Sequence, residues 1–315
     1  MKLSIIVPGY KRIKQTKKTL KLLLNSKGWG KEFEAELIVA DSTADDSLKG
    51  MLEGFGKRIR YVRPRRAGIS TNKNAGARVA KGDLLIFCDS DIEVEKETLN
   101  EVVKAFKKHP KAGMLMGITI WQGGEKDGQN DRPRKEDRIF KYQGTNFVEA
   151  IYGRFMATYR DIFWQVGGFD EEFFNLRGEG SDLSIRYWRS GFPLVYEPKV
   201  KVCHVFGAPD AITRQIQHPE RGPIRDWLIL LLKYGLWGRK GNLAKTMVWL
   251  KEWFGEKDKY VIMETVVALL PWLVENWEKI KKAQQKVLKP KFEFKFLEIF
   301  SEPELFKKCV RGFKK

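Results

Sequence analysis

Short apolar runs rich in β-branched residues alternate with amphipathic segments from Leu3 to about Val205, and this alternation restricts the fold more than any other feature of the chain. It is typical of an α/β fold, in which helices connect the strands of a central sheet. The predicted strands are Leu3–Val7, Glu36–Ala40, Ile59–Val62, Leu84–Cys88 and Met114–Ile120. The predicted helices are Lys14–Asn25, Asp45–Phe55, Ser70–Ala80, Lys96–Lys108 and Arg160–Val166. The first two thirds of the chain should therefore form a sheet flanked by helices.

The composition changes after about residue 210. The later segments DWLILLLKYGLWG, AKTMVWLKEWFG and ETVVALLPWLVENWEKIKKAQQKV are rich in Trp, Leu and Lys and have helical spacing. We predict an α/β domain over residues 1–210 and a basic helical region over residues 211–315. The Trp and Leu faces of this region fit a packed helical subdomain, and they also fit a surface that contacts a membrane.

The segment from Gln122 to Gln143 is rich in glycine and charge and has no hydrophobic period. Such a segment predicts a long loop, and long loops in compact domains often cover a ligand site. We expect part of the substrate specificity to lie there.

The net charge of the chain favours anionic partners. Lys and Arg number 59 against 40 Asp and Glu, which gives a net charge of +19. Nucleic acid, nucleotide phosphates or an acidic membrane surface would all satisfy this charge. The 3 cysteines are widely spaced without a CxxC motif, so neither a disulfide framework nor a zinc cage is indicated. With no export signal or membrane span visible, we expect a cytoplasmic protein that can contact the cytoplasmic membrane face.

A pair of carboxylates, Asp89 and Asp91, follows the predicted strand Leu84–Cys88. In open α/β sheets, ligands bind beyond the carboxyl ends of the strands. Two carboxylates one residue apart can hold a divalent cation, and the cation can neutralise a nucleotide diphosphate. An acidic turn between a strand and a helix is the alternative, because short DxD motifs also occur by chance.

Five blocks of sequence, taken together and in order, give a more specific signal than any single motif. They are SIIVPGYKR, VADSTADDS, RRAGISTNKNAGARVAKGDLLIFCDSD, GRFMATYRDIFWQVGGFDEEFF and RGEGSDLSIRYWRSGFPLVYEPKVKVCH. Over about residues 1–205 the chain resembles a family 2 glycosyltransferase with the GT-A fold. The resemblance implies a Rossmann-like mixed sheet with flanking helices, and a sugar donor linked to UDP, GDP or dTDP. It also implies a glycan, lipid-linked or other hydroxyl acceptor, as in polysaccharide or glycolipid biosynthesis.

The resemblance implies a role at the donor for several residues. Pro8 and Tyr10 would lie against the nucleotide, and Asp41 would accept hydrogen bonds from its base or ribose; a plain strand exit and a turn or helix cap are the alternatives. Lys73 and Asn74 match the family's RNxG block, in which the basic residue faces the diphosphate. Lys in place of Arg keeps the charge but loses the bidentate fork. A helix that only packs on the sheet is the alternative for this block.

The resemblance also implies a metal site for Mn²⁺ or Mg²⁺. Asp91 would contact the metal directly, and Asp89 would contact either the metal or the ribose. His204 ends the predicted strand KVKVCHV and matches the family's late histidine. A neutral imidazole suits Mn²⁺ better than Mg²⁺, although a structural histidine is the alternative.

On the acceptor side, the block GGFDE resembles a turn that aims an acidic residue toward the sugar, which implicates Gly168 and Asp170. The family's next block reads E-D-x-D-L, whereas this chain reads EGSDL from Glu179. Gly180 therefore replaces the second acid. Glu179 is the first candidate for the general base of an inverting reaction, and Asp182 is the alternative. Acidic residues that only favour a helix N-terminus are the structural explanation.

Two other functions remain open from the sequence. A catalytically silent GT-A scaffold that binds a nucleotide sugar would explain Gly180. A nucleic-acid-binding protein would explain the charge, but the basic residues are spread along the chain and no RNP, helix-turn-helix or zinc motif is present. We therefore expect no nucleic acid partner.

Overall fold

The computed structural model describes residues 1–122, 139–151, 153–205, 223–234, 259–286 and 310. Within these ranges, ten strands form one mixed sheet. The strands are β1 (Lys2–Gly9), β2 (Glu34–Asp41), β3 (Ile59–Val62), β4 (Leu84–Cys88), β5 (Ile92–Val94), β6 (Met114–Gln122), β7 (Ile139–Tyr142), β8 (Thr145–Val148), β9 (Phe155–Tyr159) and β10 (Leu194–Val205). Their order is β3-β2-β1-β4-β9-β6-β10-β8-β7, with β5 paired to β10.

Helices connect and cover these strands. They are α1 (Ile13–Leu24), α2 (Ser47–Glu53), α3 (Ile69–Val79), α4 (Thr98–Lys108), α5 (Arg160–Gln165), α6 (Glu179–Arg189), α7 (Pro223–Lys233), α8 (Lys259–Glu275) and α9 (Trp277–Lys286), with a 3-10 turn at Gly56–Arg58. None of the helices in the described ranges is long and apolar enough to cross a bilayer.

The N-terminal half of the sheet is parallel. β1 pairs in parallel with β2 and β4, and β2 pairs in parallel with β3. Most apolar residues of β1, β2 and β4 are buried, as expected of parallel strands between helices, whereas those of the edge strand β3 are partly buried. Helix α3 lies so close to β1 that a Cβ on Gly76 would overlap the side chain of Ile6. Because β1, β2, β3 and β4 are parallel, their carboxyl ends lie at one edge of the sheet.

The second half of the sheet is mixed and brings the end of β10 to the same edge. β9 runs antiparallel to β4 and β6, whereas β6 and β10 are parallel. The last residues of β10 also pair antiparallel with β5, and this register sets His204 opposite Ile92. Because Ile92 directly follows Asp91, the register brings the late histidine beside the carboxylate pair.

The sequence-based prediction of an α/β fold is confirmed, with shifted ends for most elements. The predicted loop from Gln122 to Gln143 was wrong at its C-terminal end, because Ile139–Tyr142 forms β7 and pairs with β8 through a turn at Gln143 and Gly144. The rest of that loop, residues 123–138, lies outside the described residues. Strands β5, β8 and β9 were not predicted.

The described C-terminal helices share a hydrophobic cluster with the α/β part of the chain. Phe173, Phe174 and Ile185 pack in one buried cluster with residues of α7 and α9, namely Ile229, Leu230, Leu231 and Ile280, and with Tyr234. The predicted helical segment at 244–255 and the proposed boundary near residue 210 lie outside the described residues. The division at residue 210 therefore stays a prediction.

Candidate active site

The first polar side chain at the sheet edge is Asp41, at the end of β2. It is fully buried. Its Oδ1 accepts a hydrogen bond from the backbone N–H of Thr43 at 2.8 Å, and its Oδ2 accepts one from the hydroxyl of Tyr61 at 3.2 Å. The guanidinium of Arg63 lies 3.9 Å from the same Oδ2. Asp41 thus closes a turn and carries a negative charge at the edge where the nucleotide was predicted.

Pro8 and Tyr10 lie at the end of β1, next to Asp41. The parallel register sets Pro8 beside Ala40 and Gly9 beside Asp41. Pro8 is buried, whereas Tyr10 is 53% exposed, with the ammonium of Lys11 over its ring. An exposed aromatic ring at the edge is available for stacking with a planar ligand.

The centre of the site is the side chain of Lys73 on α3, which is entirely buried. Its Nζ donates to the carbonyl of Gly153 at 2.6 Å and to Oε1 of Glu179 at 3.0 Å, and lies 3.1 Å from Oδ1 of Asp89. A Cβ at position 153 would overlap the Glu179 carboxylate, so a larger residue there would displace Glu179 from this contact. Lys73 thereby joins Asp89, which was predicted to contact the metal or the ribose, to Glu179, the first candidate for the base.

Burial and the neighbouring charges shift the pKa values of Lys73 and Asp89. Burial alone would lower the pKa of Lys73, but the carboxylates of Asp89 and Glu179 outweigh burial and raise that pKa. Burial also raises the pKa of Asp89, because Lys73 offsets only part of the cost of desolvation. A buried ammonium between two carboxylates stays charged and holds both in place.

Asp91 lies beside His204, on the turn between β4 and β5. Its Oδ1 is 3.6 Å from Nε2 of His204, and its Oδ2 forms an ion pair with the guanidinium of Arg12. The backbone N–H of Val205 donates to the carbonyl of Asp91 at 3.0 Å, which fixes the two chain segments together.

This pair fits two of the ligands of a divalent cation. A carboxylate oxygen and an imidazole nitrogen 3.6 Å apart can both reach one ion at about 2.0–2.2 Å. No cluster of three or more His, Cys, Asp or Glu residues suited to a metal occurs in the part of the chain that the structure describes. Further ligands would therefore have to come from a diphosphate and water.

A cleft of about 200 Å³ opens next to Asp91. Its lining consists of Lys14, Gln15, Lys18, Thr19, Asp91, Glu93 and Val205. Lys14 and Lys18 belong to α1, where basic residues are frequent. This cleft gives an anionic ligand access to the carboxylate on one side.

Asn74 contacts the predicted acceptor-side turn. Its Oδ1 accepts from the backbone N–H of Phe169 at 3.0 Å, and its Nδ2 donates to the carbonyl of Phe169 at 2.9 Å and to Glu171 at 2.8 Å. Gly168 in this turn has φ +66°, a conformation that favours glycine, and a Cβ there would press on Oδ1 of Asn74. These hydrogen bonds of Asn74 hold the turn, so the structure brings Asn74 to Gly168 and Phe169.

Asp182 is fully buried and bound by several donors. Arg186 donates to its Oδ2 at 2.6 Å and 3.0 Å, and Lys233 and Tyr234 donate to its Oδ1 at 2.6 Å and 2.7 Å. Burial alone would raise the pKa of Asp182, but the charges of Arg186 and Lys233 lower it to about 2. The other carboxylate on Lys233 is Asp170, at 2.6 Å. Asp170 also accepts from the backbone N–H groups of residues 172 and 173.

Several residues of this site were missed by the sequence analysis. They are Arg12, Gly153, Arg186, Lys233 and Tyr234. A signal was available for Lys233, because a lysine inside the apolar run LILLLKY is out of place on a buried helix unless it is paired. Arg12, Gly153 and Arg186 lie within the quoted blocks, and Tyr234 directly follows Lys233. Arg186 pairs with Asp182 four residues away, whereas the partners of the other three are distant in sequence.

Several known proteins are similar to this chain in sequence. The family model described as Glycosyl transferase family 2 matches residues 4–167. The probable N-acetylgalactosaminyltransferase 9 of Caenorhabditis elegans is 26% identical over 209 residues, which are 56% of this chain and 35% of that protein. The chain therefore spans about a third of the length of that relative.

Solved structures agree in fold. The structure of GalNAc-T7 with UDP, GalNAc and Mn²⁺ has a TM-score of 0.58 at 17% identity, over 76% of this chain and 48% of that chain. The mannosyltransferase PcManGT from Pyrobaculum calidifontis, in complex with GDP-Man and Mn²⁺, has a TM-score of 0.53 at 13% identity, over 99% of this chain and 81% of that chain. At these identities the likeness shows the GT-A fold alone.

Proposed function

This chain belongs to glycosyl transferase family 2, and we propose that it is an inverting, metal-dependent transferase that moves a hexose-type sugar from a nucleotide diphosphate to an acceptor hydroxyl. The observation that carries the proposal is the cluster at the sheet edge in which buried Lys73 bridges Asp89 and Glu179. A cation between a donor-side acid and a candidate base is suited to a reaction that expels a diphosphate and removes a proton.

The donor is a nucleotide-diphosphate sugar, with UDP and GDP as the first candidates and dTDP as the next. The two solved structures, which contain UDP and GDP-Man, support this class of donor. Pro8, Tyr10 and Asp41 would contact the nucleoside, because they meet at the edge where β1 and β2 end. Tyr10 offers a ring for stacking and Asp41 offers acceptor oxygens.

A divalent cation would be held by Asp91 and His204, with Asp89 contributing to the metal or to the ribose. The presence of Mn²⁺ in both solved structures and the mixed oxygen and nitrogen ligands favour Mn²⁺ over Mg²⁺. When bound, the cation supplies charge stabilisation for the leaving diphosphate. Arg12 pairs with the same carboxylate, so a cation bound there competes with its guanidinium.

Glu179 is the better candidate for the base. Asp182 has a pKa of about 2, accepts four hydrogen bonds and is completely buried, so it takes up a proton poorly. Glu179 keeps 10% of its side chain exposed and forms an ion pair with Lys73. Lys73 fixes the position of the carboxylate, which a base needs before it can accept a proton from a bound hydroxyl.

The reaction then follows from these positions. The acceptor oxygen attacks the anomeric carbon from the face opposite the diphosphate, a new carbon–oxygen bond forms, and the bond between the anomeric carbon and the phosphate oxygen breaks. The hydroxyl proton passes to Glu179, and the nucleoside diphosphate leaves with the bonding electron pair. Attack opposite the leaving group inverts the anomeric configuration. Gly168 and Asp170 would border the sugar on the acceptor side.

The direct test is a panel of UDP-, GDP- and dTDP-linked sugars with Mn²⁺, scored first by thermal shift and then by release of nucleoside diphosphate. The proposal expects at least one donor that raises the unfolding temperature and is turned over. A donor that binds and is never turned over, with water or with glycan and lipid-linked acceptors, would favour the silent scaffold that Gly180 keeps open.

We also propose a peripheral membrane contact, supported by an exposed apolar stripe on α8 and α9. Val267, Leu270, Val274 and Trp277 are 59%, 52%, 76% and 43% exposed. The spacing of the first three puts them on one face of α8, and Trp277 is the first residue of α9. Lys279, Lys281 and Lys282 follow on α9 and would approach anionic headgroups. Such a surface suits a lipid-linked or membrane-bound acceptor.

Vesicle flotation tests this contact. The full chain should float with anionic vesicles at low salt, less at high salt, and not with neutral vesicles. Val274→Glu should weaken flotation. Absence of binding to anionic vesicles at either salt concentration would leave a packed helical subdomain.

A further inference from the structure

Lys233, near the end of α7, lies between two acids that belong to separate blocks of the site. Its Nζ is 2.6 Å from Oδ2 of Asp170 and 2.6 Å from Oδ1 of Asp182. Only 8% of its side chain is exposed, and its ammonium also lies over the ring of Phe174. A buried ammonium that two carboxylates share links them structurally, because water cannot take its place as their partner.

The link extends from Asp182 into the acceptor-side turn. Arg186, which pairs with Asp182, also donates to the carbonyls of Val166 and Gly168, at 2.6 Å and 2.5 Å. Asp170 at the other end of the turn caps two backbone N–H groups. Arg186 therefore holds one end of the turn and Lys233 the other, and Asp182 joins them because it accepts hydrogen bonds from both.

The same link reaches the candidate base. Glu179 and Asp182 lie in the first turn of α6, and the residue before that turn, Gly178, has φ +78°. Glu179 then contacts Lys73. A shift of this first turn would move the carboxylate of Glu179 relative to Lys73, and a misplacement of about 1 Å in such a group can lower a rate about a hundredfold.

We propose that Lys233 is a positioning residue, which acts through Asp170 and Asp182 to hold the acceptor-side turn in place relative to Glu179. The proposal rests on the proposed transferase function and deepens it. It makes the C-terminal helical region a part of the acceptor-side machinery, because α7 supplies the cation that the two acids share. The region would therefore govern the rate of transfer and leave donor binding largely unchanged.

The test compares Lys233→Met, Lys233→Arg and Tyr234→Phe in the full chain. Lys104→Met is the matched control, because Lys104 is exposed and pairs with Glu101 on its own helix, α4. Amide hydrogen exchange of residues 167–171 and 178–183 measures how strongly the turn and the start of α6 are protected against local opening. Release of nucleoside diphosphate from the UDP- and GDP-linked sugar panel measures kcat and the KM for the donor.

In Lys233→Met, exchange should rise in both segments and kcat should fall about ten- to hundredfold, with the donor KM within about threefold. Lys233→Arg should restore most of both. Tyr234→Phe removes one donor to Asp182 and should give a smaller effect in the same direction, which keeps the test valid if Lys233→Met does not fold.

Unchanged exchange in both segments, or a kcat that falls only with the folded fraction, would overturn the proposal. The exchange measurement stands apart from the chemistry. If the wild-type protein turns over no nucleotide sugar, the proposed function fails, and exchange still decides the role of Lys233.

Discussion

The ammonium nitrogen of Lys73 lies 3.0 Å from a carboxylate oxygen of Glu179, although the two residues are 106 positions apart in the chain. The same nitrogen lies 3.1 Å from Asp89. One buried charge therefore holds an acid from the donor side and an acid from the acceptor side.

Replacing Lys73 with Met should destabilise the protein, because two carboxylates would lose their buried partner. Loss of one member of a buried ion pair typically costs about 3–5 kcal/mol. The free energy of unfolding in urea is the measurement, with Lys281→Met as a control expected to stay within about 0.5 kcal/mol of the wild type. A Lys73→Met protein as stable as the wild type would mean that the buried contact is not structural.

The outline of the fold could be predicted from the sequence because its signals are local. The apolar runs that became β1, β2, β3, β4 and β6 are continuous, and Leu84–Cys88 was predicted with both ends correct. Strand β7 was missed because it has only four residues and follows a Gly-rich charged segment that indicates a loop. The strand depends on pairing with β8. Pairing of this kind is a tertiary effect, which short sequence windows do not contain.

The candidate site was predictable in its residue types and less so in its contacts. Asp91 and His204 meet only because β10 pairs with β5, and β5 was not predicted. Asp182 appeared from the sequence as an acid at a helix start, whereas its main partners include Lys233, 51 residues away. Lys73 was expected to face a diphosphate, and its complete burial follows from packing of α3 on the sheet. Roles for these residues in catalysis stay predictions.

Asp91→Asn should remove the metal-dependent part of nucleotide diphosphate binding. The substitution keeps the size of the side chain but takes away the charge that pairs with Arg12 and faces His204. Calorimetry with UDP and GDP, with and without Mn²⁺, should show a loss of about tenfold or more in the metal-dependent affinity.

The control for that variant is Asp161→Asn, since Asp161 is exposed in the first turn of α5. It should bind nucleotide as the wild type does. If Asp91→Asn keeps its full response to Mn²⁺, the metal is held elsewhere.

Asp182 should contribute to stability in a pH-dependent way. Its folded pKa of about 2 lies below the unfolded value of about 3.9, so its contribution is complete above about pH 4 and is lost as the pH falls toward 2. Asp182→Asn should therefore cost about 2–3 kcal/mol at pH 7, and the gap to the wild type should narrow between pH 4 and pH 2.5.

Urea unfolding of the wild type and Asp182→Asn at pH 7, 4 and 2.5 checks this. Other carboxylates titrate in the same range, but they are common to both proteins and cancel in the difference. A constant difference across the three pH values would show that Arg186 and Lys233 do not lower the pKa of Asp182.

In the proposed reaction, Glu179 takes the acceptor proton while Lys73 holds the Glu179 carboxylate in place. The steady-state rate of transfer by Glu179→Gln at saturating donor tests this role directly. The amide can still accept a hydrogen bond from Lys73, so donor affinity measured by calorimetry should stay close to that of the wild type. The rate of transfer should fall about a hundred- to ten-thousandfold. A rate close to that of the wild type, or a larger loss in Asp182→Asn at intact donor affinity, would contradict this role of Glu179.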